Sequence, residues 1–92
     1  MLGEKQKMQL YGRLRRIEGQ VAGIRKMVEN DRYCVDILNQ TSAIAAALRN
    51  VENIIMENHL NTCVADAMKS DDDTLKAEKT AEIMDVIGRF RR

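Results

Sequence analysis

The chain has 92 residues, a net charge of +1, and a composition that is 45% hydrophobic and only 3% aromatic, with no Trp and no Pro. This small size and the abundance of Ala, Leu, Met, Glu, Lys and Arg predict one all-α domain over residues 1–92, which needs partners to bury enough apolar surface. No apolar run approaches the roughly 20 residues of a membrane span and no signal peptide opens the chain, so we expect a cytoplasmic protein without a membrane partner.

The first predicted helix spans about residues 4–29. Its apolar side chains recur at alternating spacings of four and three residues, which is the pattern of a helix with one narrow buried stripe. The stripe consists of Leu10, Leu14, Ile17, Val21, Ile24 and Val28. We therefore expect this helix to pack against other helices along that stripe.

Basic side chains concentrate in the first helix. Residues 1–26 carry seven basic and two acidic side chains, a net charge of +5, whereas residues 27–87 carry a net charge of −7. A basic helix on an acidic body indicates a polyanionic partner, with a merely solvated charged face as the alternative. Arg and Gln side chains supply donors for the phosphate oxygens and base edges of double-stranded DNA. The candidate DNA contacts are Arg13, Arg15, Arg16 and Gln20, followed by Lys5, Lys7 and Arg49.

The second predicted helix is long and spans about residues 32–69. Asn30 is suited to end the first helix and Asp31 to cap the second. The 37 residues from Tyr33 to Lys69 contain no Gly and no Pro. A helix of that length measures roughly 55 Å, whereas a compact domain of this size has a radius of gyration of only about 12 Å. The chain is therefore too short to wrap its own central helix.

Three candidate metal ligands, Cys34, His59 and Cys63, lie on the second helix. His59 and Cys63 are four residues apart and face the same way, so one ion can hold both. Cys34 precedes His59 by 25 residues, which is roughly 37 Å along a continuous helix. If the three residues form one site, Cys34 comes from a second, antiparallel copy of the chain, and a dimer contains two shared sites. The small side chains that would let two such helices approach are Ala43, Ala45, Ala46 and Ala47.

The donor set narrows the choice of metal. Two thiolates and one imidazole suit Cu(I) or Zn(II), because thiolates select soft metals. Structural zinc sites nearly always have four protein ligands, so three ligands favour Cu(I) or a catalytic zinc with an open position. No general base accompanies the ligands in the sequence, and we therefore expect no enzyme. Two cysteines in a cytosolic chain indicate metal binding or thiol chemistry rather than a structural disulfide.

The third predicted helix spans about residues 74–91. Residues 70–73 read Ser-Asp-Asp-Asp, an acidic and turn-forming stretch that suits the start of a helix. The apolar face of this helix consists of Leu75, Ile83, Val86, Ile87 and Phe90. The chain is thus predicted to contain three helices, of which the central one is the longest.

Three stretches of the sequence together are characteristic: RLRRIEGQVAGI at residues 13–24, DRYCVDIL at residues 31–38 and HLNTC at residues 59–63. In these stretches the chain resembles the family of small all-helical repressors typified by the copper-sensitive operon repressor. The likeness extends over about residues 5–90. It implies a three-helix subunit, an antiparallel four-helix-bundle dimer, and a tetramer formed by two such dimers. It also implies a DNA-binding repressor whose effector weakens operator binding and turns on metal export or detoxification genes.

The resemblance also implies roles for individual residues. In the copper branch of the family, a Cys from one subunit and a His and a Cys from the other bind Cu(I). The matching residues here are Cys34, His59 and Cys63. A Tyr beside the first ligand and a Glu on the last helix support the His from outside the coordination sphere, and these match Tyr33 and Glu82.

His59 discriminates between the branches of the family. Nickel and cobalt sensors use a His near the N-terminus and a His in place of Cys63, and formaldehyde sensors generally lack a thiol at that position. Persulfide sensors keep both cysteines but lack the His. The sequence therefore predicts a Cu(I)-responsive repressor of copper efflux or resistance genes. The alternatives are a persulfide- or thiol-sensing repressor of the same fold, and a cytosolic copper buffer with no role on DNA.

Overall fold

A computed structural model describes residues 2–90, and helices account for nearly all of them. In chain order the helices are α1 (Glu4–Glu29), α2 (Cys34–His59), α3 (Ala65–Lys69) and α4 (Asp73–Phe90), with a π-helical segment (Leu60–Val64) joining α2 to α3. The described residues contain no strand, which confirms the all-α prediction. No helix within residues 2–90 is both long enough and apolar enough to cross a membrane.

The turn between α1 and α2 differs from the sequence prediction. Asp31 has a φ of +52°, in the left-handed region. The N–H of Asp31 donates to the carbonyl of Val28 at 3.2 Å, and the N–H of Arg32 donates to the carbonyl of Met27 at 3.0 Å. These two bonds form a Schellman motif, so Asp31 ends α1. The prediction that Asp31 caps a second helix starting at residue 32 is therefore wrong, since α2 begins at Cys34.

Residues 2–56 form one of two compact units, in which α1 packs against α2. Its buried cluster consists of Leu10, Ile17 and Val51, flanked by the partly buried Leu2, Ile44, Ala47 and Ile54. The alternate positions of the predicted α1 stripe are exposed: Leu14 by 38%, Val21 by 52% and Val28 by 58%. We call these three residues the uncovered stripe. The subunit thus buries only one side of the apolar pattern on α1.

Residues 57–90 form the second unit, in which α3 packs against α4. Ala67 of α3 is buried. Asp72 caps the N-terminus of α4. Its Oδ1 accepts the N–H of Leu75 and its carbonyl accepts the N–H of Lys76, both at 3.1 Å. The acidic turn therefore sets the start of this helix at Asp73, one residue before the predicted start. Arg91, the predicted last residue of this helix, lies outside the described residues.

A π-helical segment interrupts the long helix at Leu60–Val64. The predicted long central helix is helical without a break over residues 34–69, but five of its residues form a π turn, which closes i to i+5 hydrogen bonds and so contains more residues than an α turn. The π-helical segment begins directly after His59 and contains Cys63.

Candidate metal centre and nucleic-acid interface

His59 and Cys63 form the candidate metal centre of the unit at residues 57–90. His59 is the last residue of α2, and Cys63 lies in the π-helical segment. The Nε2 atom of His59 is 3.0 Å from Oε1 of Glu82 on α4. Since a carboxylate only accepts hydrogen bonds, Nε2 carries the proton of this contact. The Nδ1 lone pair of the neutral ring is then available to a metal ion.

Glu82 is held in its ionised form by two neighbours. The hydrogen bond from His59, and then the charge of Lys79, lower the pKa of the Glu82 carboxyl below its ordinary value of 4.5. Lys79 Nζ lies 3.6 Å from Glu82 Oε2. The side chains of His59 and Glu82 are 31% and 46% exposed, so solvent screens this contact. Glu82 therefore acts on His59 through orientation more than through the strength of an ion pair.

Cys63 has a thiol that ionises unusually easily. The pKa of Cys63 is lowered from 9.0 to about 7, the largest cause is the Thr62 hydroxyl 3.6 Å from Sγ, and His59 makes a smaller contribution. Thr62 Oγ1 also donates to the carbonyl of Asn58 at 2.8 Å. A hydroxyl has one hydrogen, so the two acceptors share it, and a thiolate competes for it better than a thiol. The thiolate is the form that binds soft metals.

Cys34 and Tyr33 lie in the other unit, at the start of α2. Cys34 is exposed, and the side chain of Tyr33 is 69% exposed. The carbonyl of Tyr33 accepts the N–H groups of Asp36 at 3.0 Å and Ile37 at 3.2 Å, which opens the helix. Within residues 2–90 no three side chains of His, Cys, Asp or Glu stand close enough together to hold one metal ion. The described subunit thus pairs His59 with Cys63 and leaves Cys34 on the surface.

The residue types of the proposed ligand set fit a soft ion. Cys34 and Cys63 offer thiolates and His59 offers an imidazole nitrogen, which are the ligands that select Cu(I) or zinc over hard oxygen-seeking ions. The nearby carboxylate of Glu82 already interacts with His59 and Lys79. A three-ligand sulfur and nitrogen set matches Cu(I) better than a structural zinc ion, which takes four protein ligands.

A groove between α1 and α2 brings basic and amide side chains together in the unit at residues 2–56. Its volume is about 290 Å³. The residues that line it are Arg13, Arg16, Ile17 and Gln20 of α1, and Ala43, Ala46, Ala47 and Asn50 of α2. We call this the basic groove. Three candidate DNA contacts line it, and Asn50 joins them although a single Asn on a helix gives no signal in the sequence.

The remaining candidate DNA contacts lie outside the lining of the basic groove. Lys5 and Arg15 are exposed on α1, and Arg49 is exposed on α2. Lys7 Nζ is 3.9 Å from Oε1 of Glu4, so part of its charge is compensated within the helix. These four side chains remain candidates for flanking contacts.

Gln20 presents a buried acceptor in the basic groove. Its Oε1 atom is inaccessible to solvent and has no hydrogen-bond partner within the part of the chain that the structure describes. A buried acceptor without a partner costs roughly 1–3 kcal/mol. Neither Arg13 nor Arg16 forms an ion pair among the described residues. The groove therefore combines two uncompensated cations with an acceptor that lacks a donor.

Comparison with known proteins places this geometry in a family. The model of the metal-sensitive transcriptional repressor family matches residues 6–89. The chain belongs to this family. The repressor is 52% identical over 88 residues to the copper-sensing transcriptional repressor CsoR of Bacillus subtilis (strain 168), an alignment that covers 96% of the chain and 84% of CsoR.

Solved structures of two similar proteins share the fold. The copper-sensing repressor CsoR of Geobacillus thermodenitrificans NG80-2, crystallised with Cu(I), superposes with a TM-score of 0.88 at 44% identity and covers 100% of this repressor and 93% of CsoR. A variant of the formaldehyde-responsive regulator FrmR of Salmonella enterica serovar Typhimurium superposes with a TM-score of 0.78 at 26% identity. This alignment covers 98% of the repressor and 99% of the FrmR chain. The repressor thus shares one fold with proteins that respond to different effectors.

Proposed function

We propose that the chain is a cytoplasmic, Cu(I)-responsive transcriptional repressor without catalytic activity. The apo form binds operator DNA, and Cu(I) binding releases it, so that copper efflux or resistance genes are expressed. The observation that carries this proposal is the 3.0 Å contact between His59 Nε2 and Glu82 Oε1, beside a Cys63 thiol of lowered pKa. It prepares one imidazole nitrogen and one thiolate for a soft metal. The similarity to copper-sensing repressors supports copper as the effector.

The third ligand of the proposed site is Cys34 of a second copy. A helix that separates Cys34 from His59 by 25 residues spans roughly 37 Å, so the two residues of one site belong to antiparallel copies. The uncovered stripe on α1 supplies apolar surface for that association. We extend the proposal to four-helix-bundle dimers that pair into tetramers. In such a dimer Tyr33 accompanies Cys34 to the partner's half of the site.

The basic groove is the proposed centre of the DNA-binding surface. A concave groove fits the ridge of one sugar–phosphate backbone, and the planar guanidinium groups of Arg13 and Arg16 bind phosphate oxygens in pairs. Gln20 and Asn50 add neutral hydrogen-bonding groups to the same groove. The flanking contacts are Lys5, Lys7, Arg15 and Arg49. Because phosphate contacts dominate such a surface, its affinity depends steeply on salt.

Release of DNA requires a difference in affinity between two conformations. An effector lowers the DNA affinity only when it binds the DNA-incompetent conformation more tightly. Coupling of 1–3 kcal/mol corresponds to a change of about 5- to 150-fold in DNA affinity. Cys34, His59 and Cys63 would hold Cu(I), and a bound ion would then link the segments that carry these residues. Glu82 links His59 to α4, so the orientation of the imidazole depends on that helix.

An anaerobic Cu(I) titration against a chromophoric Cu(I) chelator tests the metal site. The reduced wild-type protein is expected to bind one Cu(I) per subunit, and His59→Ala is expected to bind at least about tenfold more weakly. Asn61→Ala is the matched control, because Asn61 is exposed in the same π-helical segment. Binding that is indifferent to His59 would contradict the copper proposal.

A second candidate function is thiol sensing through Cys34 and Cys63. The observation in its favour is the pKa of about 7 for Cys63, which makes the thiolate abundant at neutral pH. In that case persulfide or oxidant would release DNA from His59→Ala as well as from the wild type. A copper buffer is a third possibility, and it would show no salt-sensitive DNA affinity in the apo form.

A further inference from the structure

Lys79 contacts Glu82, which in turn contacts the candidate metal ligand His59. Lys79 Nζ is 3.6 Å from Oε2 of Glu82, and His59 Nε2 is 3.0 Å from Oε1 of the same carboxylate. The two oxygens therefore contact two different groups, and Lys79 and His59 do not compete for one acceptor. All three residues lie in the unit at residues 57–90.

Lys79 is the least exposed basic side chain among the ion pairs formed within residues 2–90. The Lys79 side chain is only 28% exposed, whereas Lys7 is 44% exposed beside a glutamate that is 91% exposed. The side chains of Arg89 and Asp85 are 65% and 67% exposed. Lysine covers its stem in this way while its ammonium group keeps a partner. Glu82 thus has a more constrained cation than the ordinary surface pairs.

The helix places Lys79 and Glu82 on one face of α4. They are three residues apart, a spacing at which side chains on a helix meet. The last torsion of a glutamate side chain is broad and roughly two-fold, so one contact alone leaves the carboxylate able to rotate. Glu82 is also 46% exposed, and water competes for its oxygens. A second contact on Oε2 restricts that rotation.

We propose that Lys79 is a positioning residue for the metal-binding imidazole. By holding Oε2 of Glu82 it keeps Oε1 turned toward Nε2 of His59. The proton of the neutral ring then stays on Nε2, and Nδ1 keeps the lone pair that a metal ion needs. This inference rests on the proposed function of His59 as a ligand. It adds a residue on α4 that has no metal-binding atom of its own.

Three variants of the full chain test the proposal. Lys79→Met keeps the length of the stem and removes the cation, and Lys79→Arg restores a cation. Lys76→Met is the matched control, because Lys76 is also half-buried on α4 and forms no ion pair among the described residues. Circular dichroism monitors folding, and Lys79→Gln replaces Lys79→Met if that variant does not fold.

The first measurement uses the metal-free protein. The 15N spectrum of the imidazole of His59, the only histidine in the chain, reports which ring nitrogen carries the proton at a pH where the ring is neutral. We expect the Nε2–H form in the wild type, in Lys79→Arg and in Lys76→Met. Lys79→Met is expected to populate the Nδ1–H form as well. A wild-type tautomer in Lys79→Met would overturn the proposal.

The second measurement is the Cu(I) affinity by chelator competition. Lys79→Met is expected to bind up to about tenfold more weakly, at the lower end of the range for outer partners of metal-binding histidines. Lys79→Arg should restore the affinity. Equal losses in Lys79→Met, Lys79→Arg and Lys76→Met would indicate a merely structural effect and overturn the proposal. If wild-type Cu(I) binding ignores His59, the proposed function fails, while the tautomer in the metal-free protein still tests Lys79.

Discussion

Glu82 Oε1 lies 3.0 Å from His59 Nε2, a contact between residues that are 23 positions apart in the chain. This contact joins the end of α2 to α4 across the π-helical segment and α3. It sets the protonated nitrogen of the imidazole and makes the orientation of a candidate ligand depend on the position of another helix. The contact therefore links the candidate metal centre to α4 through one side chain.

Replacing Glu82 by Gln is expected to remove stability that depends on pH. The pKa of Glu82 is lower in the folded protein than its ordinary value of 4.5. A carboxyl with a lowered pKa stabilises the fold above its unfolded pKa, and this contribution disappears as the pH falls through its folded pKa. The wild type should therefore exceed Glu82→Gln in thermal stability above about pH 4.5, and the difference should vanish in stronger acid.

Thermal unfolding in a pH series from neutral to acid measures this difference. Glu78→Gln serves as the control, because Glu78 is exposed on the same helix and forms no ion pair within residues 2–90. A constant gap between the wild type and Glu82→Gln at every pH would mean that the glutamate acts through packing and not through its charge.

Thr62→Val is expected to slow the alkylation of Cys63. The Thr62 hydroxyl is the largest cause of the lowered pKa of Cys63, so its loss should raise that pKa from about 7 toward 9.0. Less thiolate is then present at neutral pH, and iodoacetamide should react several-fold more slowly. The rate is measured as a function of pH in a Cys34→Ser background, which leaves Cys63 as the sole thiol.

Thr80→Val is the matched control for this experiment. Thr80 Oγ1 donates to the carbonyl of Lys76 at 2.8 Å, as Thr62 Oγ1 does to the carbonyl of Asn58, but it lies on α4 and not beside the thiol. An equal slowing in both threonine variants would show that helix stability, and not the hydroxyl near Sγ, governs the reactivity.

Alanine substitutions at Arg13 and Arg16 are expected to reduce the salt dependence of DNA binding. Each side chain that contacts a phosphate releases counterions, so each loss should lower the slope of log affinity against log salt by about 1. Arg25→Ala is the control, since Arg25 Nε lies 3.9 Å from Glu29 Oε1 and the residue does not line the basic groove. Fluorescence anisotropy with operator duplex at several salt concentrations gives the slope. An unchanged slope for Arg13→Ala would remove that residue from the DNA-binding surface.

Gln20→Met is expected to stabilise the metal-free, DNA-free protein. The substitution removes a buried oxygen that has no donor within residues 2–90, and the gain should be about 1 kcal/mol in the free energy of unfolding. Urea denaturation at fixed protein concentration measures it, with Gln40→Met, at an exposed position of α2, as the control. A loss of stability instead would show that Gln20 finds its donor in the assembled protein.

Val21→Asp is expected to weaken self-association while leaving the fold of the subunit intact. Val21 is 52% exposed in the subunit, whereas Leu10 on the same helix is 4% exposed. Sedimentation velocity should therefore show smaller species for Val21→Asp. Leu10→Ala should instead lower the free energy of unfolding by about 2–5 kcal/mol, because it creates a cavity. A wild-type sedimentation profile for Val21→Asp would exclude the uncovered stripe from the interface.

The sequence was sufficient for those features that depend on local patterning. The apolar stripe and the break at Asn30 predicted α1 within its observed bounds, and the acidic turn predicted the start of α4 to within one residue. The break between α1 and α2 was placed correctly, but the role of Asp31 was not. Both Asn and Asp tolerate the left-handed conformation and also cap helices, so residue type alone did not discriminate between the two uses.

Other features depend on packing between helices, which the residue pattern of a single helix does not predict. Arg13, Arg16 and Gln20 are spaced by three and four residues and therefore share a helix face, but Asn50 joins them only because α1 packs against α2. Lys79 likewise gains its role from the contact of α4 with His59. No residue type in the π-helical segment distinguishes it from an α-helix, so the sequence did not predict the change in geometry.

The small buried core has a consequence for the amount of repressor in a cell. Among residues 2–90, the buried hydrophobic side chains within one subunit are only Leu10, Ile17, Val51 and Ala67. Folding that depends on association becomes more favourable as the copy number of the protein rises. Any ligand that binds the assembled form stabilises the folded protein further by mass action. When a cell contains few copies of the protein, a newly made subunit stays unassembled for longer and is therefore exposed to proteolysis for longer. The rates of synthesis and degradation of the repressor would then determine, together with the metal, how sensitively it responds.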